Sequence, residues 1–464
     1  MENENRSSFT GQLGFILAAA GSAVGLGNIW RFPYLAAKDG GGVFLFAYII
    51  LALTFGFTLL VTEIAIGRHT AQGPLTAYGK IHQGWGFIGV FATIVPAMIL
   101  PYYSAIGGWV LKYLSVYVTG QGAKAAADGY FGSFISSQWE PIIWFVIYLG
   151  ATAFIVFKGV EEGIEKYSKV LMPILFLLIV GICFFAMTLK NTDESGVTRT
   201  GLQGLKIYLI PDFSGMTLRE FLVVVMDAVG QLFYSISVAM GIMVAYGSYA
   251  KKDTNLMTSV NQIEFFDSMV AILAGMMIIP AVYVFMGREG MSAGPGLMFI
   301  SLPKVFHAMG PAETVIGLVF FLMVTFAALT SSVSIMEAIV SSLVDRFHMT
   351  RQKATILTTV YSLIFGIIVC LGYNVLYFEF RLPNDSIAQI LDIMDYVSNN
   401  ILMPVVALCT CLLIGWVAKP QLIIDEVTQG KFRFNRKGLY IVMVRFVAPA
   451  LLFILLLKAF GLVA

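Results

Sequence analysis

Residues 21–33 read Gly-Ser-Ala-Val-Gly-Leu-Gly-Asn-Ile-Trp-Arg-Phe-Pro, inside an apolar run where a membrane helix is expected. The stretch is poorly suited to a helix. Gly21, Gly25 and Gly27 each cost about 1 kcal/mol relative to Ala in a helix interior. Asn28 and Arg31 are costly wherever they would face lipid. Unwound backbone survives at membrane depth only where protein or a water-filled cavity covers it. A helix broken here frees carbonyl oxygens for cations and N–H groups for a carboxylate, which is the chemistry of a transport site.

The surrounding chain supports this reading. Its 464 residues are 58% hydrophobic and only 12% charged, against about 25% charged in soluble domains. The apolar runs exceed strand length, so the fold class is an all-α polytopic membrane protein rather than a barrel, with the lipid bilayer as its solvent. A net charge of +2 gives no nucleic-acid footprint. Residues 1–9 are short and polar, and no cleavable signal peptide is expected. Cys183, Cys370, Cys409 and Cys411 fall in apolar runs and read as core residues, not disulfides. His69, His82, His307 and His348 are scattered, without partners at metal-ligand spacing.

Eleven spans are expected, over residues 11–36, 41–67, 86–118, 141–157, 165–188, 221–249, 260–286, 312–345, 353–373, 387–417 and 438–462. Lys and Arg concentrate on alternate loops: Arg68 and Lys80; Lys158, Lys166 and Lys169; Lys251 and Lys252; Arg346, Arg351 and Lys353; Lys419, Lys431, Arg433, Arg436 and Lys437. The positive-inside rule makes these loops cytoplasmic, with the N-terminus inside and the C-terminus extracellular or periplasmic. A second weak stretch, Ser235 to Gly241, occupies the place in span 6 that Gly21–Gly27 occupies in span 1. Paired interrupted helices in two five-span halves point to inverted repeats with a midplane site between them. One transporter domain, 1–464, is expected, with repeats over 10–190 and 215–418 and an additional helix at 438–462.

These motifs resemble the neurotransmitter:sodium symporter family, in its eleven-span bacterial amino-acid branch. The likeness rests on residues 21–33 and continues through Gly40-Gly41-Gly42, Glu63 to Arg68, Tyr102-Tyr103, Gly230-Gln231, Ala327 to Ser332 and Leu391 to Tyr396. It implies two inverted five-helix repeats with helices 1 and 6 broken. It further implies two sodium sites. Site 1 would use Ala23, Asn28, Ser235 and the substrate carboxylate, with Asp267 nearby in one of two possible registers. Site 2 would use Gly21, Val24, Ala327, Thr330 and Ser331.

For the substrate, the resemblance implies N–H groups of Leu26 and Gly27 and the Tyr103 hydroxyl on an α-carboxylate, with carbonyls of Ala23 and around Tyr234 and Ser237 on the ammonium. Amine carriers of the family place Asp where this chain has Gly25, so the substrate here should bring its own carboxylate. Ile99, Tyr234, Ala239, Met240, Ser332 and Ile335 would line a side-chain pocket without a full charge, suited to neutral hydrophobic or aromatic L-amino acids. Arg31 and Asp395 match the extracellular gate, and Arg6 and Asp345 the cytoplasmic gate. Gly163 and Pro173 suggest that the inner half of span 5 unwinds to release sodium.

The expected activity is sodium-coupled symport by alternating access in the cell inner (plasma) membrane, without a chloride requirement. The alternatives are an ion channel, which single-channel current would reveal, and a non-transporting amino-acid sensor on the same scaffold. Enzymatic catalysis is not expected, because Thr330-Ser331-Ser332 has no His or Lys base to activate a nucleophile.

Overall fold

Backbone in hydrocarbon has no water to bond to and must close its own hydrogen bonds, so the apolar runs become helices. The computed structural model describes residues 8–193, 196–287, 290, 296–383 and 386–463. Among the described residues, nine helices are long and apolar enough to cross a membrane. These are spans 2–5 (Gly42–Thr70, Gln83–Val118, Glu140–Phe157 and Val160–Thr188), 7–10 (Leu256–Met286, Gly310–Phe347, Arg351–Leu371 and Ile390–Val417) and 11 (Lys437–Ala459). Span 1 is the pair Gln12–Ala23 (1a) and Gly27–Lys38 (1b), bent by 52°. Span 6 is the pair Leu218–Ser235 (6a) and Ile242–Tyr249 (6b), parted by residues 236–241. Two five-span halves of opposite topology, each with its first helix broken, are followed by one additional helix.

The breaks are narrower than the sequence suggests. Span 1 loses helical geometry only at Val24 and Gly25 and resumes through a wide turn at Gly27–Arg31, so Gly21 is still helical. Span 6 turns at Ser237 (φ +56), Ala239 (φ +62) and Gly241 (φ +72). Two of these are not glycine, and left-handed backbone there must be held in place by neighbours.

Small residues let span 6b approach span 2. A methyl group on Gly67 would collide with the Val244 carbonyl, and one on Gly247 with the Ile64 carbonyl. Such close backbone approach is how helices pack where lipid removes the hydrophobic drive. At the N-terminal side of span 1a, the Thr10 N–H donates to Glu165 Oε2 of span 5 at 2.8 Å. Phe9 is buried against Phe15, Tyr246 and Tyr249. The C-terminal end of span 2 is fixed by Arg68, fully buried, which donates from Nε to Glu426 Oε1 at 2.7 Å and from a terminal nitrogen to Thr254 O at 2.7 Å.

Several elements escape the sequence reading because they are too short for a periodic signal. They include the loop helices Pro74–Ile81, Gly201–Leu209, Leu302–Ala308 and Gln421–Thr428. Two small antiparallel hairpins, Lys190–Thr192 with Thr198–Thr200 and Phe380–Arg381 with Ile387–Ala388, qualify the all-α description. Span 5 opens with a wide turn, Val160–Glu165, and continues as helix through Pro173. The segment expected to unwind is therefore helical in this state.

Replacing Gly247 by Val should lower the unfolding midpoint of the detergent-purified protein, since overpacking typically costs about 1–3 kcal/mol. Gly150→Ala, where a methyl would meet open space, should leave it unchanged. Equal midpoints for the two variants would show that the contact between spans 2 and 6b is loose.

Candidate functional site

The two breaks face each other and are stitched by serines. The Ser22 hydroxyl lies 3.0 Å from that of Ser237, and the Ser237 hydroxyl donates to the Ser22 carbonyl at 3.0 Å. The Ala239 N–H, turned away from its own helix by the positive φ, donates to Glu63 Oε1 at 2.6 Å. Gln231 of span 6a donates from Nε2 to the Gly27 carbonyl at 3.0 Å. The last two side chains stand in for the hydrogen bonds that the broken helices lost. Glu63 and Gln231 carry motif positions, but these partners were not evident from the sequence because they lie far away along the chain.

A small cavity lies between the breaks. Its walls include Ala23, Gly25, Leu26, Gly27, Ile99, Tyr103, Tyr234, Ser237, Met240 and Ile335, all expected from the sequence. Ser22, Asn28, Ser235 and Ser331 complete it. The cavity is narrow at both tyrosines. The Tyr103 hydroxyl approaches Leu26 N at 3.4 Å, and a methyl on Gly27 would lie 2.6 Å from the Tyr234 ring. A methyl on Gly25 would stand 2.7 Å from Ser331 Oγ and 3.1 Å from the Tyr103 hydroxyl. Any side chain at Gly25 therefore displaces the groups that define this end of the pocket.

Two expected lining residues are not there. Ser332 faces span 4, with its Oγ 2.9 Å from Thr152 Oγ1 and 3.1 Å from the Tyr148 hydroxyl. Consecutive helical residues point about 100° apart, so if Ser331 faces span 1, Ser332 cannot. Ala239 is fully buried and supplies its N–H to Glu63 instead of lining the cavity.

Two clusters of oxygen atoms flank the cavity. In the first, Ser331 Oγ lies 3.5 Å from Gly21 O, 3.0 Å from Ser22 O and 3.3 Å from Val24 O. Thr330 Oγ1 lies 3.1 Å from Ala327 O, and Gly21 packs directly on Thr330. The five residues expected at site 2 are thus brought together. In the second, Asp267 is fully buried. Its Oδ1 accepts from Asn28 Nδ2 at 2.8 Å and from Ser235 Oγ at 2.7 Å, and its Oδ2 accepts from the Tyr48 hydroxyl at 3.2 Å. The Asp267 carboxylate thus sits directly on Asn28 and Ser235, two of the residues expected at site 1. Ala23 lines the cavity beside them.

The gates differ from expectation. Arg31 and Asp395 form no ion pair. Arg31 lies over the Tyr234 ring, 5.4 Å from its centroid, while Asp395 Oδ1 accepts from Asn399 Nδ2 at 2.6 Å. Asn399 also bonds the Tyr102 hydroxyl at 3.1 Å. Each expected gate residue is engaged by a nearer neighbour. Arg6 lies outside the described residues, and Asp345 accepts the Gly73 N–H at the start of a loop helix.

Comparison with known proteins gives a consistent picture. The family model for the sodium:neurotransmitter symporter family matches residues 6–128 and 133–463. An uncharacterized sodium-dependent transporter of Bacillus subtilis is 32% identical, covering 100% of both chains. An uncharacterized sodium-dependent transporter of Methanocaldococcus jannaschii is 33% identical over 90% of this chain and 83% of its own. The rat sodium- and chloride-dependent GABA transporter 2 is 26% identical over 91% of this chain and 75% of its own. Among solved structures, the crystal structure of MhsT in complex with L-phenylalanine superposes with a TM-score of 0.85 at 33% identity, covering 98% of this chain and 100% of that one.

Glu63→Ala should lower the unfolding midpoint by the equivalent of about 1–3 kcal/mol, the usual cost of stranding a buried donor. Glu63→Gln retains an acceptor oxygen for Ala239 and should recover most of that loss. Melting curves of the purified variants give the comparison, and equal loss in both would point to charge rather than the Ala239 contact.

Proposed function

The chain belongs to the sodium:neurotransmitter symporter family, and on that premise we propose that it carries a neutral L-amino acid with sodium by alternating access. The observation that carries this reading is Asp267. It is a fully buried carboxylate whose three partners, Asn28, Ser235 and Tyr48, are all neutral. Among the described residues no Lys, Arg or His pairs with it. An uncompensated buried charge is strongly unfavourable. A cation held between Asp267, Asn28, Ser235 and the Ala23 carbonyl removes that cost, and sodium is the cation that the family provides.

Gly21, Val24, Ala327, Thr330 and Ser331 offer a second sodium only neutral oxygens, suited to a hard cation at a broken helix. The N–H groups of Leu26 and Gly27 begin span 1b and, with the Tyr103 hydroxyl, receive the substrate carboxylate. That carboxylate completes site 1, so each of the two ligands favours binding of the other. The pocket walls Ile99, Tyr234, Met240 and Ile335 carry no full charge and suit an aliphatic or aromatic side chain. MhsT was crystallised with L-phenylalanine, which supports an amino-acid substrate of this kind. We assign 10–190 and 215–418 as the inverted repeats, with spans 1, 2, 6 and 7 moving against spans 3, 4, 8 and 9. Orientation follows the basic loops, with the N-terminus cytoplasmic and the C-terminus outside.

Binding of a neutral L-amino acid to the purified protein should require sodium and the α-carboxylate together. In competition, tryptophan should displace a bound neutral amino acid where tryptamine, lacking the carboxylate, fails even in hundredfold excess. Equal displacement by both would contradict the assignment of Leu26, Gly27 and Tyr103.

Chloride should be dispensable. Asp267 already supplies a fixed negative charge, and a second anion beside it would be repelled. Uptake should be unchanged when gluconate replaces chloride, and Asp267→Ser should lower it. A strong chloride requirement in the unmodified protein would overturn this role for Asp267.

A further inference from the structure

A second cavity, unconnected with the breaks, opens between spans 2 and 7 on the lipid-facing side. It encloses about 480 Å³, and its walls are almost entirely apolar: Ile49, Leu53, Phe265, Met269, Ile272 and Leu273. Leu53 and Phe265 are strongly exposed, at 50% and 60%, as side chains facing acyl chains would be. At one end the groove meets a polar cluster. Arg436 donates to Glu264 Oε2 at 3.0 Å and to the Leu53 carbonyl at 2.9 Å, bonds Asn261, and stacks on the Phe57 ring at 3.7 Å. Leu53 belongs to a wide turn of span 2, Ala52–Gly56, and a wide turn leaves carbonyls free for such a donor. The guanidinium is therefore a fixed feature at the groove mouth.

The segment leading into span 11, which carries Arg436, holds further cations. Residues 429–437 read Gln-Gly-Lys-Phe-Arg-Phe-Asn-Arg-Lys, with no acidic residue. Lys431, Arg433 and Lys437 are exposed, and their side chains have no hydrogen-bond or ion-pair partner among the described residues. Phe434 is buried against Phe57 and Tyr440, which pins this segment to the helices beside Arg436. Unpaired cations on the segment that adjoins an apolar groove are complementary to an anionic amphiphile.

We propose that this groove is a binding site for an anionic glycerophospholipid of the cytoplasmic leaflet. One acyl chain lies between spans 2 and 7, and the phosphate faces Lys431, Arg433 and Lys437, with Arg436 at the boundary. The leaflet assignment rests on the orientation proposed above. The binding itself does not, so its failure is distinguishable from failure of the transport reading. The groove walls include Ser268 and Glu264, neighbours of Asp267 on span 7, so a bound chain would buttress the helix that carries the site 1 carboxylate.

The test is native mass spectrometry of the full chain in detergent, titrated with phosphatidylglycerol or with phosphatidylcholine of the same acyl chains. The unmodified protein should retain phosphatidylglycerol about tenfold more strongly, given the attraction expected per basic residue. A triple variant, Lys431→Gln with Arg433→Gln and Lys437→Gln, should bind both lipids equally and weakly. Ser268→Trp, which fills the groove, should lose both, and melting curves would verify that it folds. Inorganic phosphate at millimolar concentration should not displace the lipid, because the chain provides most of the binding. Equal retention of the two lipids by the unmodified protein, an unchanged preference in the triple variant, or displacement by phosphate alone would overturn the proposal.

Discussion

The structure depends on the rule that backbone polar groups at membrane depth cannot be left unbonded. Spans 1 and 6 break that rule locally, at residues 24–25 and 236–241, and the surrounding molecule answers for it. Ser22 and Ser237 bond each other, Glu63 takes the Ala239 N–H, Gln231 takes the Gly27 carbonyl, and Asn28 Oδ1 accepts from the Gly25 N–H at 3.2 Å. The remaining carbonyls and N–H groups converge on the cavity. Each broken helix is an incomplete hydrogen-bonding system, which in the proposed function a cation with a carboxylate completes.

This construction explains why charge is so sparse in the centre. Among the described residues no charged side chain lines the cavity itself, and the carboxylate beside it, Asp267, is held by neutral donors. A site built from dipoles releases its ligands when the helices that carry them shift slightly, whereas a site built from ion pairs would hold them through larger motions. The tight contact of span 6b with span 2 through Gly67 and Gly247 makes those two segments a single body. The bond from Thr10 to Glu165 meanwhile ties the start of span 1a to span 5. Motion of span 1a must break that bond.

Much of this was legible in the sequence because glycine and polar residues in an apolar run have few explanations. Both breaks and the eleven spans follow from that, while the placing of Thr330 and Ser331 against span 1 came from the family resemblance. Asp267 stood out as a carboxylate inside a span, although its register needed coordinates. Other features were not legible, for physical reasons. Ser332 and Ala239 fail as pocket residues because one position along a helix or turn changes the face. Arg31 and Asp395 fail as a pair because each half-buried side chain is engaged elsewhere, Arg31 by the Tyr234 ring and Asp395 by Asn399. The partners of Glu63 and Gln231 are contacts across the fold, which a single sequence does not encode locally. The loop helices are too short to leave a period.

The central claim is coupling: sodium completes the broken helices, and the substrate carboxylate completes the sodium site. The most direct measurement is uptake of a labelled neutral L-amino acid into proteoliposomes under an inward sodium gradient. Accumulation above the external concentration, collapsing when sodium is equal on both sides, is the expected result. Uptake that never exceeds equilibrium, or that proceeds equally with potassium in place of sodium, would contradict the coupling.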